Sequence, residues 1–195
     1  MNEIKDCYIQ LSSRVEKMLR TSEFLGSGHN GIVYSLPNKR VIKIFKSRKV
    51  CEEEYSILVR TKKSNFFPKI YEHGPYYIIR DFASGDRLDK YIKKHGINKE
   101  ICLNIVKLIE EFKRLKFKRL DIRCKDLYLK DDFSITVIDP KNNYSKKVIY
   151  PRHLMKGLNK LGVIEKFLSV VREDYPETYK LWDFNFKQYL EKGIK

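Results

Sequence analysis

The amino-acid sequence predicts an α+β fold of two lobes, a five-stranded antiparallel N-terminal lobe with one helix and a reduced, mainly helical C-terminal lobe. Three observations predict it. Short β-branched and aromatic runs crowd the first part of the chain, and helical periodicity dominates after Asp86. The 195 residues, 42% hydrophobic and 13% aromatic, suffice for a single domain with its own core, its lobes falling at 1–82 (with a leading helix) and 83–195.

The elements follow in order. Ile4, Ile9, Leu11, Val15, Met18 and Leu19 stand at helical spacing, so residues 4–20 read as an amphipathic leading helix that packs on the small lobe. Phe24-Leu25, Ile32-Val33-Tyr34 and the run from Val41 to Phe45 read as a meander of three strands, because Gly-rich or Pro-Asn turns separate them. Residues 49–61 read as a helix, and 69–72 and 76–82 as two further strands around His73-Gly74-Pro75. Beyond Asp86 two helices are expected, the second with Asn98 as N-cap and a buried stripe of Ile101, Ile105, Leu108 and Phe112. Three more helices, at 151–161, 164–171 and 176–190, close the chain, with Trp182 and Tyr179 packing against the lobe.

Composition narrows the function classes. Cys7, Cys51, Cys102 and Cys124 form no CxxC pair, so they read as reduced, buried thiols rather than a zinc ribbon or a disulfide framework. The N-terminus lacks the apolar run of a signal peptide and no stretch is apolar enough to span a membrane, which leads us to expect a cytoplasmic protein without a membrane partner. Forty-one basic residues against 25 acidic ones, a net charge of +16, attract phosphate-bearing or acidic partners, RNA among them, and also suit a plain solvated surface. The four histidines are scattered without metal spacing and read as loop or surface groups. Nothing in the sequence specifies an oligomeric state.

Chemistry is concentrated in two constellations. Gly26-Ser27-Gly28-His29-Asn30-Gly31-Ile32-Val33 is a GxGxxGxV between two strands, a form that suits a flap whose bare backbone N–H groups close over phosphates. The same glycines also suit a hairpin turn that needs positive φ. Lys43 stands alone in the apolar strand that follows, and a buried ammonium needs a carboxylate. Glu52, Glu53 and Glu54 are available, and Glu54 lies beside the apolar face of its helix. An exposed Lys43 beside a solvated acidic helix face is the competing reading. The second constellation is Asp121, Asp126 and Asp139: a loop acid, a second acid five residues on, and a third ending the next strand. Such a set suits phosphoryl transfer, one acid positioning a hydroxyl and two holding Mg²⁺, although aspartates are also ordinary residues of loops.

In order and spacing these residues resemble the protein kinases of eukaryotic and small bacterial type over about residues 20 to 142. The resemblance implies ATP and Mg²⁺ as cofactors. It implies that Gly26, Ser27, Gly28, Gly31 and Val33 form the glycine-rich loop, that Lys43 meets the α and β phosphates with Glu54 as its partner, and that Asp81, Phe82 and Ala83 form the hinge that reads adenine. Asp121 corresponds to the catalytic aspartate, Arg123 to the cation that meets the γ-phosphate, and Asp126 and Asp139 to the metal ligands. Departures are plain. Arg119-Leu120-Asp121 replaces HRD and its packing histidine, Asp126 replaces asparagine, Asp139-Pro140-Lys141 replaces DFG, Arg80 stands at the gatekeeper position, and no APE motif follows. The short C-terminal part is similar to that of RIO-type kinases and of the kinase of the tRNA-threonylcarbamoylation complex. The resulting expectation is a serine/threonine protein kinase, possessing a protein substrate that the charge suggests is acidic. A small-molecule kinase and a pseudokinase or RNA-associated nucleotide-binding module are the alternatives. The basic run from Lys113 to Lys125 around Asp121 points toward an acidic acceptor or RNA, or is a solvated helix end.

Overall fold

The computed structural model describes residues 11–141 and 143–192. Its chain divides into two compact units: one takes the residues up to Lys62 together with Pro68–Phe82, the other Lys63–Phe67 together with the chain from Ala83 onward.

The first unit is built on helix α1 (Ser13–Arg20), strands β1 (Phe24–Gly28), β2 (Gly31–Leu36) and β3 (Arg40–Phe45), helix α2 (Arg48–Arg60), and strands β4 (Ile70–Gly74) and β5 (Tyr77–Asp81). Its five strands form an antiparallel sheet in the order β1-β2-β3-β5-β4. The alternation along β3 decides what each face does. Ile42 and Ile44 join Leu36, Ile79 and Val15 in an apolar cluster, so α1 packs on this face, with Leu11, Met18 and Leu19 at its edge. Full burial of Val15 alone contributes about 1.5–3 kcal/mol. Val41, Lys43 and Phe45 point the other way and are buried too, as are Cys51, Glu54, Ile57 and Leu58 of α2. Residues 4–10 of the expected leading helix, and Cys7, lie outside the described residues.

The second unit contains β6 (Asp86–Arg87), α3 (Leu88–His95), α4 (Lys99–Arg114), β7 (Leu127–Leu129), β8 (Ile135–Val137), α5 (Arg152–Lys160), α6 (Ile164–Asp174) and α7 (Pro176–Lys192). Asn98 caps α4 by accepting from the Ile101 N–H at 2.8 Å, and Ile101, Ile105, Leu108 and Phe112 are fully buried. Trp182 of α7 is buried and stacks on Phe167 of α6, whereas Tyr179 is half-buried, with the Arg172 guanidinium 5.9 Å from its ring centre. A three-stranded sheet, β6-β7-β8, carries the aspartate loops. Asp86 and Arg87, which read as the start of a helix, instead pair with Leu129 and Tyr128, and α3 begins at Leu88. Two residues are too few to show strand alternation. No described helix is long and apolar enough to cross a membrane.

Candidate active site

In the first unit, β1 and β2 are joined at Gly28 and Gly31, which pair directly across the ladder. The three glycines have different causes. An added Cβ at Gly31 would stand 1.9 Å from the Ile44 carbonyl oxygen, so this residue permits β2 to lie close on β3. At Gly26 and Gly28 a Cβ would meet nothing within 4 Å, and none of the three has positive φ. Turn geometry therefore does not require them. Ser27 and Val33 sit in the same hairpin, opposite Ile32 and Gly26 respectively.

Lys43 pairs with Val33 and Ile78 in the sheet, and its Nζ donates to Glu54 Oε2 at 2.6 Å, with side chains only 7% and 3% exposed. In such a pair, removed from water, the attraction of opposite charges offsets the cost of burial. Glu54, rather than Glu52 or Glu53, is thus the partner. Glu52 is exposed and binds Arg48.

Following β5, the Asp81 carboxylate accepts from the Lys69 N–H at 2.9 Å and the Tyr71 hydroxyl at 2.7 Å, while its carbonyl accepts from Arg80 Nη1 at 3.2 Å. Arg80 is buried. The Asp81 and Phe82 N–H groups donate to Lys69 and Lys39 carbonyls. Ala83, in the second unit, is buried, and its N–H donates to no acceptor among the described residues.

In the second unit, the three aspartates share a cavity of about 160 Å³ with Arg119, Arg123, Lys141 and His153. Asp121 has no exposed side-chain surface: it accepts from the His153 main-chain N–H at 2.9 Å and pairs with His153 Nδ1, and Arg119 and Arg152 each stand 3.9 Å away. Asp126 is gripped by Arg123 through two bonds of 2.5 and 2.7 Å, which push the guanidinium above its ordinary pKa. Arg123 is also 3.9 Å from Asp139, and Lys141 bonds Asp139 at 2.6 Å. Asp139 has φ 55°, a left-handed conformation that Asp tolerates better than most residues.

Two carboxylates reached by one guanidinium offer hard oxygen ligands of the kind that hold Mg²⁺ together with water and phosphate oxygens. No group of three or more His, Cys, Asp or Glu suited to a metal occurs among the described residues. The Asp126 and Asp139 carboxylates are the donors that fit such an ion.

The structure adds a partner to two readings of the sequence. His153 is not a free surface group but the partner of Asp121, 32 residues away in sequence. No local signal marks it, because only the fold brings the start of α5 to the loop: Val148 bridges Arg119, and Asn143 accepts from the Lys118 and Arg119 N–H groups. Part of the basic run around Asp121 is a solvated helix end with its own acidic partners, while Lys116, Lys118 and Lys125 are exposed. Lys113, Arg114 and Arg123 bind Glu110, Glu111 and Asp126. An open groove of about 890 Å³ also carries cations, with Lys146, Lys147, Arg152 and Lys192 in its walls and no carboxylate.

A curated protein of Bacillus subtilis (strain 168), "Putative serine/threonine-protein kinase YrzF", is 24% identical over 137 residues, which are 66% of this chain and 64% of that protein. The match thus spans just under two thirds of the relative's length. It joins the antiparallel five-stranded sheet, the buried Lys43–Glu54 pair on β3 and α2, and the aspartates flanking β7 and β8. The fold is protein-kinase-like. Within this kinase-like fold, Asp121 and Asp126 bracket the loop before β7, and Asp139 follows β8. A solved structure, that of the kinase PK-1 of Cydia pomonella granulovirus, aligns with a TM-score of 0.47 and 19% identity over 65% of this chain and 53% of its own. No family model matches the chain.

Proposed function

We propose that the chain is an ATP-dependent phosphotransferase that moves the γ-phosphate to a serine or threonine hydroxyl of a protein. The observation that carries the proposal is the buried Lys43–Glu54 pair: a desolvated ammonium 2.6 Å from a carboxylate is a costly arrangement for a structural strand and a useful one for binding phosphate. The open space where a Cβ would stand at Gly26 and Gly28 supports it, since it leaves room for a close approach to the backbone that nothing in the hairpin itself requires. The Ala83 N–H is a donor suited to an adenine ring nitrogen.

Asp126 and Asp139 would hold Mg²⁺, which supplies charge neutralisation at the transferring phosphate. Arg123, already between these two carboxylates, is placed to follow the charge that builds on the phosphoryl oxygens. The carboxylate-free groove favours an acidic polypeptide as acceptor: its lysines meet carboxylates, and Tyr150, Tyr189 and Asn185 offer further polar contacts.

The test is Mg²⁺-dependent release of ADP from ATP together with transfer of labelled γ-phosphate to the chain itself or to an acidic serine-containing peptide. We expect transfer by the native chain and a loss of at least about 10²-fold in Asp139→Asn, whose side chain keeps the left-handed backbone comfortable and removes one charge. Lys43→Met should abolish transfer as well. ATP binding without any turnover by the native chain would refute the phosphotransferase reading in favour of a nucleotide-binding module.

A further inference from the structure

The carboxylate of Asp121 is covered, so it cannot meet an acceptor hydroxyl as it stands: its side chain is 0% exposed and both oxygens are engaged, Oδ1 by the His153 main-chain N–H and Oδ2 by the His153 ring. The imidazole, by contrast, is 37% exposed and lines the cavity that contains Arg123, Asp126 and Asp139. Its Nε2 has no hydrogen-bond partner among the described residues. We propose that Asp121 and His153 work as a dyad, in which Asp121 orients the ring through Nδ1 and His153 Nε2 is the group that takes the proton from the acceptor hydroxyl. The proposal rests on the phosphotransferase reading above.

Three features favour the dyad over a carboxylate that merely caps α5. A cap needs only the main-chain bond at 2.9 Å, yet the ring is bound as well, so its plane is set from two points. A carboxylate that accepts from Nδ1–H holds the tautomer whose Nε2 carries the free lone pair. Arg119 and Arg152 both stand 3.9 Å from the Asp121 carboxylate, and a carboxylate at Nδ1 stabilises the imidazolium once it forms. The step balances simply. The hydroxyl oxygen of the acceptor forms a bond to the γ-phosphorus of a nucleoside triphosphate, its proton passes to Nε2, and the bond from phosphorus to the bridging oxygen breaks, with the electron pair leaving on the nucleoside diphosphate.

Two measurements test it. Nitrogen-15 NMR of the imidazole in the full chain should find the neutral ring protonated at Nδ1, and Asp121→Asn should change that signal. A ring protonated at Nε2, or a signal indifferent to Asp121→Asn, overturns the dyad. In the transfer assay, His153→Asn keeps an amide N–H near the Nδ1 position and loses Nε2, so we expect an unchanged thermal midpoint and KM for ATP with kcat lowered about 10²–10⁴-fold. His153→Gln should lose as much, because an amide at the Nε2 position is not a base. If Lys43→Met is inactive while His153→Asn turns over like the native chain, the dyad fails and the phosphotransferase reading stands. If the native chain itself transfers nothing, that reading fails and the base role falls with it.

Discussion

At Gly31 a Cβ would collide with the β3 backbone, and at Gly26 and Gly28 it would meet open space, so three glycines of one motif answer to two different demands. Gly31→Ala should therefore destabilise the protein by about 1–3 kcal/mol in urea denaturation, as overpacking does, with nucleotide affinity following the loss of fold. Gly26→Ala and Gly28→Ala should leave the denaturation midpoint unchanged and weaken ATP binding in calorimetry. Equal stability losses at all three would remove the distinction. The spacing of the motif was legible in the sequence. Which glycine serves packing was not, because the deciding atom, the Ile44 carbonyl oxygen, belongs to β3, the strand after the one that carries Gly31.

Elements declared themselves wherever their periodicity was long enough to read. α4 has seven buried residues, among them Ile101, Ile105, Leu108 and Phe112 at helical spacing, and an Asn cap, and β3 has five consecutive buried residues after Arg40. β6 has two residues and no pattern, so only its pairing with β7 reveals it. The Lys43–Glu54 pair was legible because a lone charge in an apolar strand demands a partner within reach of the next helix. The Asp121–His153 contact was not, since its two halves come from segments joined only by tertiary packing. The seat of α5 shows how tight that packing is. A Cβ at Gly157 would stand 2.7 Å from Cys124 Sγ, whose thiol donates to the Leu154 carbonyl at 3.7 Å. Gly157→Ala should thus destabilise by about 1–3 kcal/mol despite the better helix propensity of alanine. In a Cys124→Ala background the same change should become neutral or stabilising by up to about 1 kcal/mol. A double-mutant cycle read by denaturant midpoints checks this; additive effects would refute the close contact.

Across the whole molecule, buried thiols link stability to pH. Burial pushes Cys51 and Cys124 up to about 12 and Cys102 up to about 11. In the unfolded chain a thiol titrates at about 8.5. Above that value the unfolded state gives up protons that the native state keeps, so the native state binds more protons and stability falls as pH rises. The contribution is complete below about pH 8.5 and is lost progressively toward the raised native values. Urea midpoints should therefore be flat between pH 7 and 8 and decline from pH 9 to 10. A chain with these three cysteines replaced by alanine should show a shallower decline, and an identical slope would rule the thiols out as its cause. In the native state at pH 8 the same thiols should resist a disulfide reagent until urea unfolds the chain.

Lys43 stands between Ile42 and Ile44 on a strand whose two faces are both covered, by α1 on one side and α2 on the other. A slip of one residue in the pairing of β3 would deliver the ammonium into the cluster around Val15 and set two isoleucines against Glu54. The same residue proposed to hold phosphate thereby proofreads the alignment of the sheet, and an error in assembly that misplaces the strand is penalised at the position where function can least accept it.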